Sequence, residues 1–203
     1  REGNTEKFQG NANVSLVSSK ILIEGPTPKF MKMKGSWMVA GRRTYFDQVI
    51  NAILRSSGAG KEVKFPYYFY DYQIKVNLDL NPDHRLTYSR FYGDDVLEIN
   101  VSSNEEEYDV YSDYYENRKS RFKIEWPWGN HTNSLTWRWL VNPKLVARTF
   151  IANSRYRFHF DMTAREEGDW HMGSETGTYG DQFSFDFFDI IDDRTLETEL
   201  SWH

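Results

Sequence analysis

The chain has 203 residues, which is the length of a single domain. Its 25 basic and 30 acidic residues give a net charge of −5, which argues against a broad nucleic-acid-binding surface. Cysteine is absent, which excludes disulfide scaffolds and thiolate zinc sites, and no run reaches the about 18 apolar residues of a membrane helix. Aromatic residues make up 17% of the chain although its mean hydropathy is −0.73, a combination typical of outer-membrane β-barrels and aromatic-lined binding modules.

The dominant pattern along the chain is an alternation of apolar and polar residues with a period of two, which predicts β-strands. In chain order, strands are predicted over 8–16, 21–23, 36–45, 68–79, 85–92, 131–141, 148–160 and 196–202. No long segment has a helical period, although 46–54 is compatible with two helical turns inside a loop. We therefore predict an all-β fold, an antiparallel up-and-down meander of about eight strands that occupies residues 1–203 as a single segment.

The predicted connections alternate between short turns and long loops. Short turns are predicted at 18–19, 26–29, 81–84 and 142–144, two of them marked by Asn-Pro dipeptides. Long loops rich in Gly, Ser, Asp and Glu are predicted on the opposite rim, at 46–66, 93–119 and 161–181. Tight turns at one end and long loops at the other are typical of outer-membrane barrels, although a β-sandwich can have them as well.

The alternation also divides the strand residues into an apolar and a polar set. In a membrane barrel the lipid-facing set is Tyr70, Tyr72, Ile74, Val76, Leu135, Trp137, Trp139, Phe150, Tyr156 and Phe158. The lumen-facing set is Asp71, Gln73, Lys75, Asn77, Thr136, Arg138, Asn153, Arg155 and Arg157. A sandwich with a second sheet over the apolar set gives the same alternation, so the period leaves both architectures open. Rings near strand ends and the length of 148–160 favour the partial transmembrane barrel.

Seven short strings spread over the chain resemble, in their order, the TonB-dependent receptors of bacterial outer membranes, in the form common in Bacteroides-like bacteria. They are Arg1-Glu2-Gly3-Asn4, Ile23-Glu24-Gly25-Pro26, Gly41-Arg42-Arg43-Thr44-Tyr45, Tyr68-Phe69-Tyr70-Asp71, Arg85-Leu86-Thr87-Tyr88-Ser89, Trp128-Gly129-Asn130 followed by Leu135-Thr136-Trp137, and Ser154-Arg155-Tyr156-Arg157-Phe158. No single string is specific, whereas the ordered set is. In this resemblance residues 1–7 correspond to the junction between a plug domain and the barrel, and the rest to the first strands of the barrel.

The resemblance implies a location in the cell outer membrane, contact with its lipid, and non-catalytic uptake of a nutrient by a receptor of which this chain is a segment. It also implies TonB as a partner, reached through a plug domain that this chain does not contain, and a surface lipoprotein as a further partner. Because such barrels have about 22 strands, we expect a fragment that forms an open, curved sheet whose first and last strands do not pair.

Residue types with other chemistry are present without the spacing that the chemistry needs. The five histidines are not spaced to direct two rings at one ion, and no nucleophile–base pair or cofactor loop is recognisable, so we expect no metal, no cofactor and no enzymatic activity. The candidate ligand contacts in the predicted loop 93–119 are Tyr108, Tyr111, Tyr114 and Tyr115. Capping of the barrel rim explains these rings equally well. The first alternative function is a soluble aromatic-rich β domain that binds carbohydrate or peptide. The second is a small lipocalin-like barrel that holds an apolar ligand and has its apolar face inward.

Overall fold

The structure, a computed structural model, describes residues 2–29, 33–56 and 66–202. In these ranges eight strands and one helix follow one another along the chain. They are β1 (Gln9–Val14), β2 (Ser18–Pro26), β3 (Lys34–Thr44), α1 (Phe46–Ser56), β4 (Tyr67–Asp79), β5 (His84–Asp109), β6 (Tyr114–Asn142), β7 (Leu145–Met172) and β8 (Glu175–Trp202). The predicted all-β fold of about eight strands is confirmed.

Each strand pairs antiparallel with the next strand in the sequence, and the eight strands form one sheet in the order β1-β2-β3-β4-β5-β6-β7-β8. In the described part of the chain, β1 and β8 lie at opposite edges of this sheet and are not hydrogen-bonded to each other. The predicted up-and-down meander is therefore confirmed, and the sheet is open as expected.

The four C-terminal strands are much longer than predicted. β5 to β8 contain 26, 29, 28 and 28 residues, and at about 3.4 Å per residue the longest spans roughly 90–100 Å. The loops predicted at 93–119 and 161–181 are wrong, because these segments are strands joined by turns at 110–113 and 173–174. Their Ser, Asp and Glu residues are strand residues that form cross-strand contacts, such as the 2.7 Å hydrogen bond between Ser103 Oγ and Ser120 Oγ.

The third predicted loop, 46–66, contains α1, and the helical turns predicted over 46–54 are present. Asp47 in the first turn and Arg55 in the last turn suit the positive and negative ends of the helix dipole. Residues 57–65 of this loop lie outside the described residues. Among the described residues, no helix has the length and apolar character needed to cross a bilayer.

Asparagine side chains close two of the predicted short turns. Asn81 Oδ1 accepts hydrogen bonds from the backbone N–H groups of Asp83 and His84, both at 2.9 Å, and Asn142 Oδ1 accepts one from Lys144 N–H at 2.9 Å. In a turn, backbone N–H groups have no carbonyl partner on a neighbouring strand. An asparagine side-chain oxygen two or three residues earlier accepts their hydrogen bonds instead. These turns therefore direct β5 back along β4 and β7 back along β6.

Directly opposed residues of antiparallel strands point to the same side of a sheet. We name the side on which Asn77 lies face 1 and the side on which Trp137 lies face 2. The pairing from β4 to β8 assigns each strand residue to one face, with a single irregularity in register between Leu140 and Asn142.

The two ends of β5 to β8 differ in chemistry, and we name them separately. The base has the turns at 80–83 and 143–144, and the tip has the turns at 110–113 and 173–174. The basal zone comprises residues 84–93, 130–142, 145–156 and 191–202. The upper zone comprises residues 94–109, 114–129, 157–172 and 175–190.

The sheet has almost no buried core of the usual kind. Met38 is the one hydrophobic side chain among the described residues that is buried, and its buried polar neighbours include Ser36 and Asn77. All three lie on face 1, and the segment before β1 contacts Ser36 and Asn77 there. Ser36 Oγ and Asn77 Nδ2 each donate a hydrogen bond to the Glu2 carbonyl oxygen at 2.5 Å. No described element packs over either face of β5 to β8.

The Asn81 contact leads to a test of the basal turn. Asn81→Ala removes the acceptor for two backbone N–H groups and should lower the free energy of unfolding by about 1 kcal/mol, measured by urea denaturation. Asn81→Asp keeps a side-chain acceptor and should unfold near the wild-type urea concentration. Equal losses in the two variants would show that the side-chain acceptor does not stabilise the turn.

Candidate functional site

The faces predicted for β4 and β6 agree with the register between these strands. The predicted lipid-facing residues of both strands lie together on face 2, and the predicted lumen-facing residues lie together on face 1. Those on face 2 are Tyr70, Tyr72, Ile74, Val76, Leu135, Trp137 and Trp139. Those on face 1 are Asp71, Gln73, Lys75, Asn77, Thr136 and Arg138. Contact of either face with lipid or water stays a prediction.

The grouping of the β7 residues with these faces is wrong. Phe150, Tyr156 and Phe158 lie on face 1 with the residues predicted to line a lumen, whereas Asn153, Arg155 and Arg157 lie on face 2. The turn between β6 and β7 pairs Thr136 with Phe150 and Trp137 with Thr149, and a shift of one residue moves every side chain of a strand to the other face. The alternation predicted within 148–160 is confirmed, but the prediction of which β7 residues share a face with Trp137 of β6 is wrong.

Near the turns of the basal zone, face 2 has an apolar row and face 1 a charged row. Further from the turns, face 2 also carries Arg90, Arg155, Asp192 and Arg194, and face 1 also carries Phe91, Phe150 and Tyr156. One row of directly opposed residues on face 2 is apolar across six strands, and it consists of Trp37, Val76, Tyr88, Leu135, Ile151 and Leu196. A nearby row on face 1 is charged across the same six strands, and it consists of Lys34, Asp79, Arg85, Arg138, Arg148 and Glu199. Within this row Arg85 Nε lies 2.6 Å from Asp79 Oδ1.

In the upper zone the polarity of the two faces is reversed. Face 1 carries three successive apolar rows, which we name the apolar patch: Leu97, Trp126, Phe160 and Phe187; Ile99, Ile124, Met162 and Phe185; Val101, Phe122, Ala164 and Phe183. At the same level face 2 is polar, with Glu98, Glu125, Asp161 and Asp186 in one row. β5, β6 and β8 therefore exchange their apolar side between the base and the tip, whereas β7 keeps most of its apolar side chains on face 1 from Phe150 to Ala164.

The apolar patch is a cluster of rings that sequence reasoning missed. The Trp126 ring lies 5.5 Å from the Phe160 ring in an edge-on arrangement, and the Phe160 ring lies 6.1 Å from that of Phe185. A signal for it is present in the sequence, because Phe183, Phe185 and Phe187 alternate with polar Ser184 and Asp186 directly after the predicted loop 161–181.

A second group of side chains surrounds Asp94 on face 2, at the lower limit of the upper zone. Asp94 is 8% exposed, and its carboxylate accepts hydrogen bonds from Tyr70 Oη at 3.0 Å, from the Tyr92 hydroxyl and from Arg157 Nη2 at 2.9 Å. Asp94 and Arg157 are separated by β6, where Gly129 lies between them. A Cβ atom at Gly129 would lie 1.8 Å from Asp94 Oδ1, so this ion pair requires glycine at the position.

A third group surrounds Glu116 on face 1, near the tip. The Glu116 carboxylate accepts hydrogen bonds from Tyr179 Oη at 2.5 Å and Tyr114 Oη at 3.0 Å, and Arg118 Nη2 lies at 3.2 Å. Tyr179 reaches Glu116 from β8 across Gly168 of β7, where a Cβ atom would lie 2.6 Å from the Tyr179 ring. The hydrogen bond from Tyr179 lowers the pKa of the Glu116 carboxyl, and the bonds from Tyr114 and Arg118 act in the same direction.

The tyrosines predicted as a ligand loop lie at the tip of the β5–β6 hairpin instead of in a loop. Tyr108 and Tyr115 are directly opposed on face 2, Tyr114 lies on face 1, and Tyr111 lies in the turn with its side chain fully exposed. The four rings are close in the sequence, but the alternation of strand residues sends them in different directions. They therefore do not form one joint contact surface.

Within the described residues, no three His, Asp or Glu side chains are grouped so that they could hold a metal ion. His203 lies outside the described residues. Comparisons of the chain with protein-family models, with curated proteins and with solved structures find no match.

The close approach at Gly129 can be tested by adding a single methyl group. Gly129→Ala should displace the Asp94 carboxylate from Arg157 and lower the free energy of unfolding by about 2 kcal/mol, measured by urea denaturation. The matched control is Gly180→Ala on β8, where the nearest atom would lie 3.7 Å from the new Cβ. Unfolding of both variants at the wild-type urea concentration would contradict the requirement for glycine at position 129.

The Glu116 group leads to a prediction about pH. Because the folded-state pKa of Glu116 is lowered, its ionisation stabilises the folded state above its ordinary pKa of 4.5, and this contribution is lost as the pH falls through the lowered value. Tyr179→Phe removes the strongest hydrogen bond and should raise the pKa of Glu116, followed by NMR titration of the side-chain carboxyl. Tyr114→Phe should raise it less. An unchanged pKa in Tyr179→Phe would exclude the hydrogen bond as the cause.

Proposed function

We infer that the chain is a membrane-spanning segment of an outer-membrane receptor for nutrient uptake, of the TonB-dependent kind that its sequence resembles. In this proposal the basal zone crosses the outer membrane with face 2 against lipid and face 1 against a water-filled or plugged lumen. The chain contributes to binding and passage of a solute without covalent chemistry. TonB, acting through a plug domain, and a surface lipoprotein are the proposed partners.

The observation that carries this proposal is the pair of rows in the basal zone. A row that is apolar across β3 to β8 lies on face 2, and a row that is charged across the same strands lies on face 1. Lipid on one side and water on the other is the environment in which both rows are stable. In water alone, the apolar row would remain exposed, because no described element packs over it.

The length of the basal segments agrees with this environment. They span residues 84–93, 130–142, 145–156 and 191–202, which is 10 to 13 residues each, against the about 9–11 that a tilted strand needs to cross a bilayer. Face 2 is apolar in the half of these segments next to the turns and carries the row Arg90, Asn133, Asn153 and Arg194 above it. Trp137, Trp139 and Trp202 lie on face 2 at the base, and such rings are enriched where a barrel meets the membrane–water interface.

Two features support face 1 as the inner side. The segment that precedes β1 lies on face 1, where Glu2 contacts Ser36, Asn77 and Arg85. This is the side on which a plug-to-barrel junction at residues 1–7 would have to lie. In β7 the face 1 side chains of 151–158 are half-buried and the face 2 side chains are exposed, as expected for a sheet curved towards face 1.

The alternative is a soluble β domain that binds carbohydrate or peptide, and the ring cluster of the apolar patch favours it. It would need a cover for the apolar row on face 2. Leu196, Leu200 and Trp202 on this face are 73%, 68% and 71% exposed, so the alternative leaves more apolar surface in water than the membrane proposal does.

Adjacent residues on opposite faces allow a matched test in lipid vesicles. Because the chain has no cysteine, single cysteines can carry a nitroxide spin label without background. Labels at Leu135→Cys and Leu196→Cys should be relaxed by lipid-soluble oxygen, whereas labels at the neighbouring Ser134→Cys and Thr195→Cys should be relaxed by a water-soluble nickel complex. A chain that stays in the aqueous fraction, or equal access of the nickel complex to all four labels, would contradict the membrane proposal.

A further inference from the structure

The apolar patch of the upper zone is partly exposed, although six of its twelve side chains are aromatic. Phe183, Phe185 and Phe187 are 57%, 48% and 50% exposed, and no described element packs over face 1 at this level. Contiguous apolar surface of this kind marks a site of contact with another molecule. The patch lies above the basal zone, on the face proposed to line the lumen.

The charges around the patch are strongly one-sided. The acidic residues on face 1 of the upper zone are Asp95, Glu105, Glu107, Asp109, Glu116, Glu166, Glu175, Asp181 and Asp189. Among the described residues of this zone, the one basic side chain on face 1 is Arg118, which is bound to Glu116. The other basic residues of the zone lie on face 2 and are Lys119, Arg121, Lys123, Arg157 and Arg165.

Face 2 of the upper zone carries eight acidic residues beside its five basic ones, so both faces are net acidic, and face 1, with nine acidic residues and one basic residue, is the more negative. The acidic residues on face 2 are Asp94, Glu98, Glu106, Glu125, Asp161, Glu167, Asp169 and Asp186. Asp95 and Asp189 lie on the basal side of the patch, and Glu166 and Asp181 are directly opposed on its tip side. Each of these two rows has two acidic residues among its four, and we refer to them as the acidic rows; a molecule that covers the patch must place apolar groups between them. Positive charge at its two ends would be attracted, and negative charge would be repelled.

The dimensions of the site distinguish a short ligand from a folded partner. The two acidic rows are eight residues apart along a strand, which is about 27 Å, and the four strands span about 14 Å. The footprint of roughly 400 Å² is half of the about 800 Å² that one partner buries in a standard protein–protein interface. An extended peptide of about eight residues spans the same 27 Å.

We propose that the apolar patch binds an oligopeptide of about eight residues with basic ends and apolar or aromatic side chains between them. The rings of the patch contact the central side chains, and the acidic rows on either side bind the basic ends. The inference rests on the proposed function and names the class of its solute: a cationic, apolar peptide.

The test measures binding of a fluorescent synthetic peptide to the full chain in detergent micelles by anisotropy. The peptide has arginine at both ends and leucine and phenylalanine between. Replacing the end residues with glutamate should weaken binding at least about tenfold. Raising the salt from about 0.1 M to about 1 M should also weaken it, because the Debye length falls from about 10 Å to about 3 Å.

Matched variants separate the patch from non-specific contact with detergent. Phe185→Ser on face 1 should weaken binding about tenfold, whereas Phe188→Ser, on face 2 of the same strand, should change it less than about twofold. The double variant Glu166→Gln, Asp181→Asn should weaken binding about fivefold, and Glu98→Gln, Glu106→Gln on face 2 should not.

Equal binding of the arginine and glutamate peptides, or equal losses in the face 1 and face 2 variants, would overturn the proposal. Binding of a neutral oligosaccharide in place of the peptide would also overturn it. The same holds if the chain binds no peptide but self-associates, and Phe185→Ser abolishes the self-association. The two experiments together distinguish the two proposals. If the spin label at position 135 is in lipid but the arginine peptide does not bind, the proposed ligand class is wrong and the membrane location stands. If the peptide binds but that label is in water, the proposed membrane location is wrong and the ligand class stands.

Discussion

The hydrogen-bonded register between neighbouring strands decides which side chains share a face, and here it extends across the whole sheet with one irregularity, near the base of β6. Because no second layer is present among the described residues, each row of opposed side chains must suit whatever lies above it. The apolar row on face 2 and the charged row on face 1 are both consequences of this register. The position at which the polarity of the faces reverses also depends on this register. A slip of one residue in the pairing of a strand would move all of its side chains to the opposite face.

Glycines on intervening strands extend this arrangement from rows of neighbours to contacts between strands that do not pair. Arg157 reaches Asp94 across Gly129, and Tyr179 reaches Glu116 across Gly168. In both cases the missing side chain leaves room for a hydrogen bond over the middle strand. These contacts join β5 directly to β7 and β6 directly to β8, in addition to the backbone pairing that each strand makes with its neighbours. They also place one acidic group at each end of the upper zone.

The apolar side of a strand can change along its length, and this explains why loops were wrongly predicted from composition in the two long hairpins. The segments 93–119 and 161–181 are rich in residues that favour loops, yet Leu97, Ile99 and Val101 keep an apolar side through the first of them. The patch became visible only when four strands were aligned, because each contributes three residues to it. An apolar surface built from several strands has no signature in any one of them.

The sequence by itself determined the elements with strong local signals. The period of two predicted the strands, and Asn81 and Asn142 marked two basal turns because their side chains bond to the nearby backbone. It also separated the two faces correctly on β4 and β6. Only the tertiary structure decided how β7 is phased against β6, since register depends on the geometry of the turn and on pairing between distant residues. For the same reason Phe150, Tyr156 and Phe158 lie on face 1, against the prediction. The Asp94 and Glu116 groups are recognisable only in the folded sheet, because Asp94 and Glu116 each bind a residue 63 positions away, Arg157 and Tyr179 respectively.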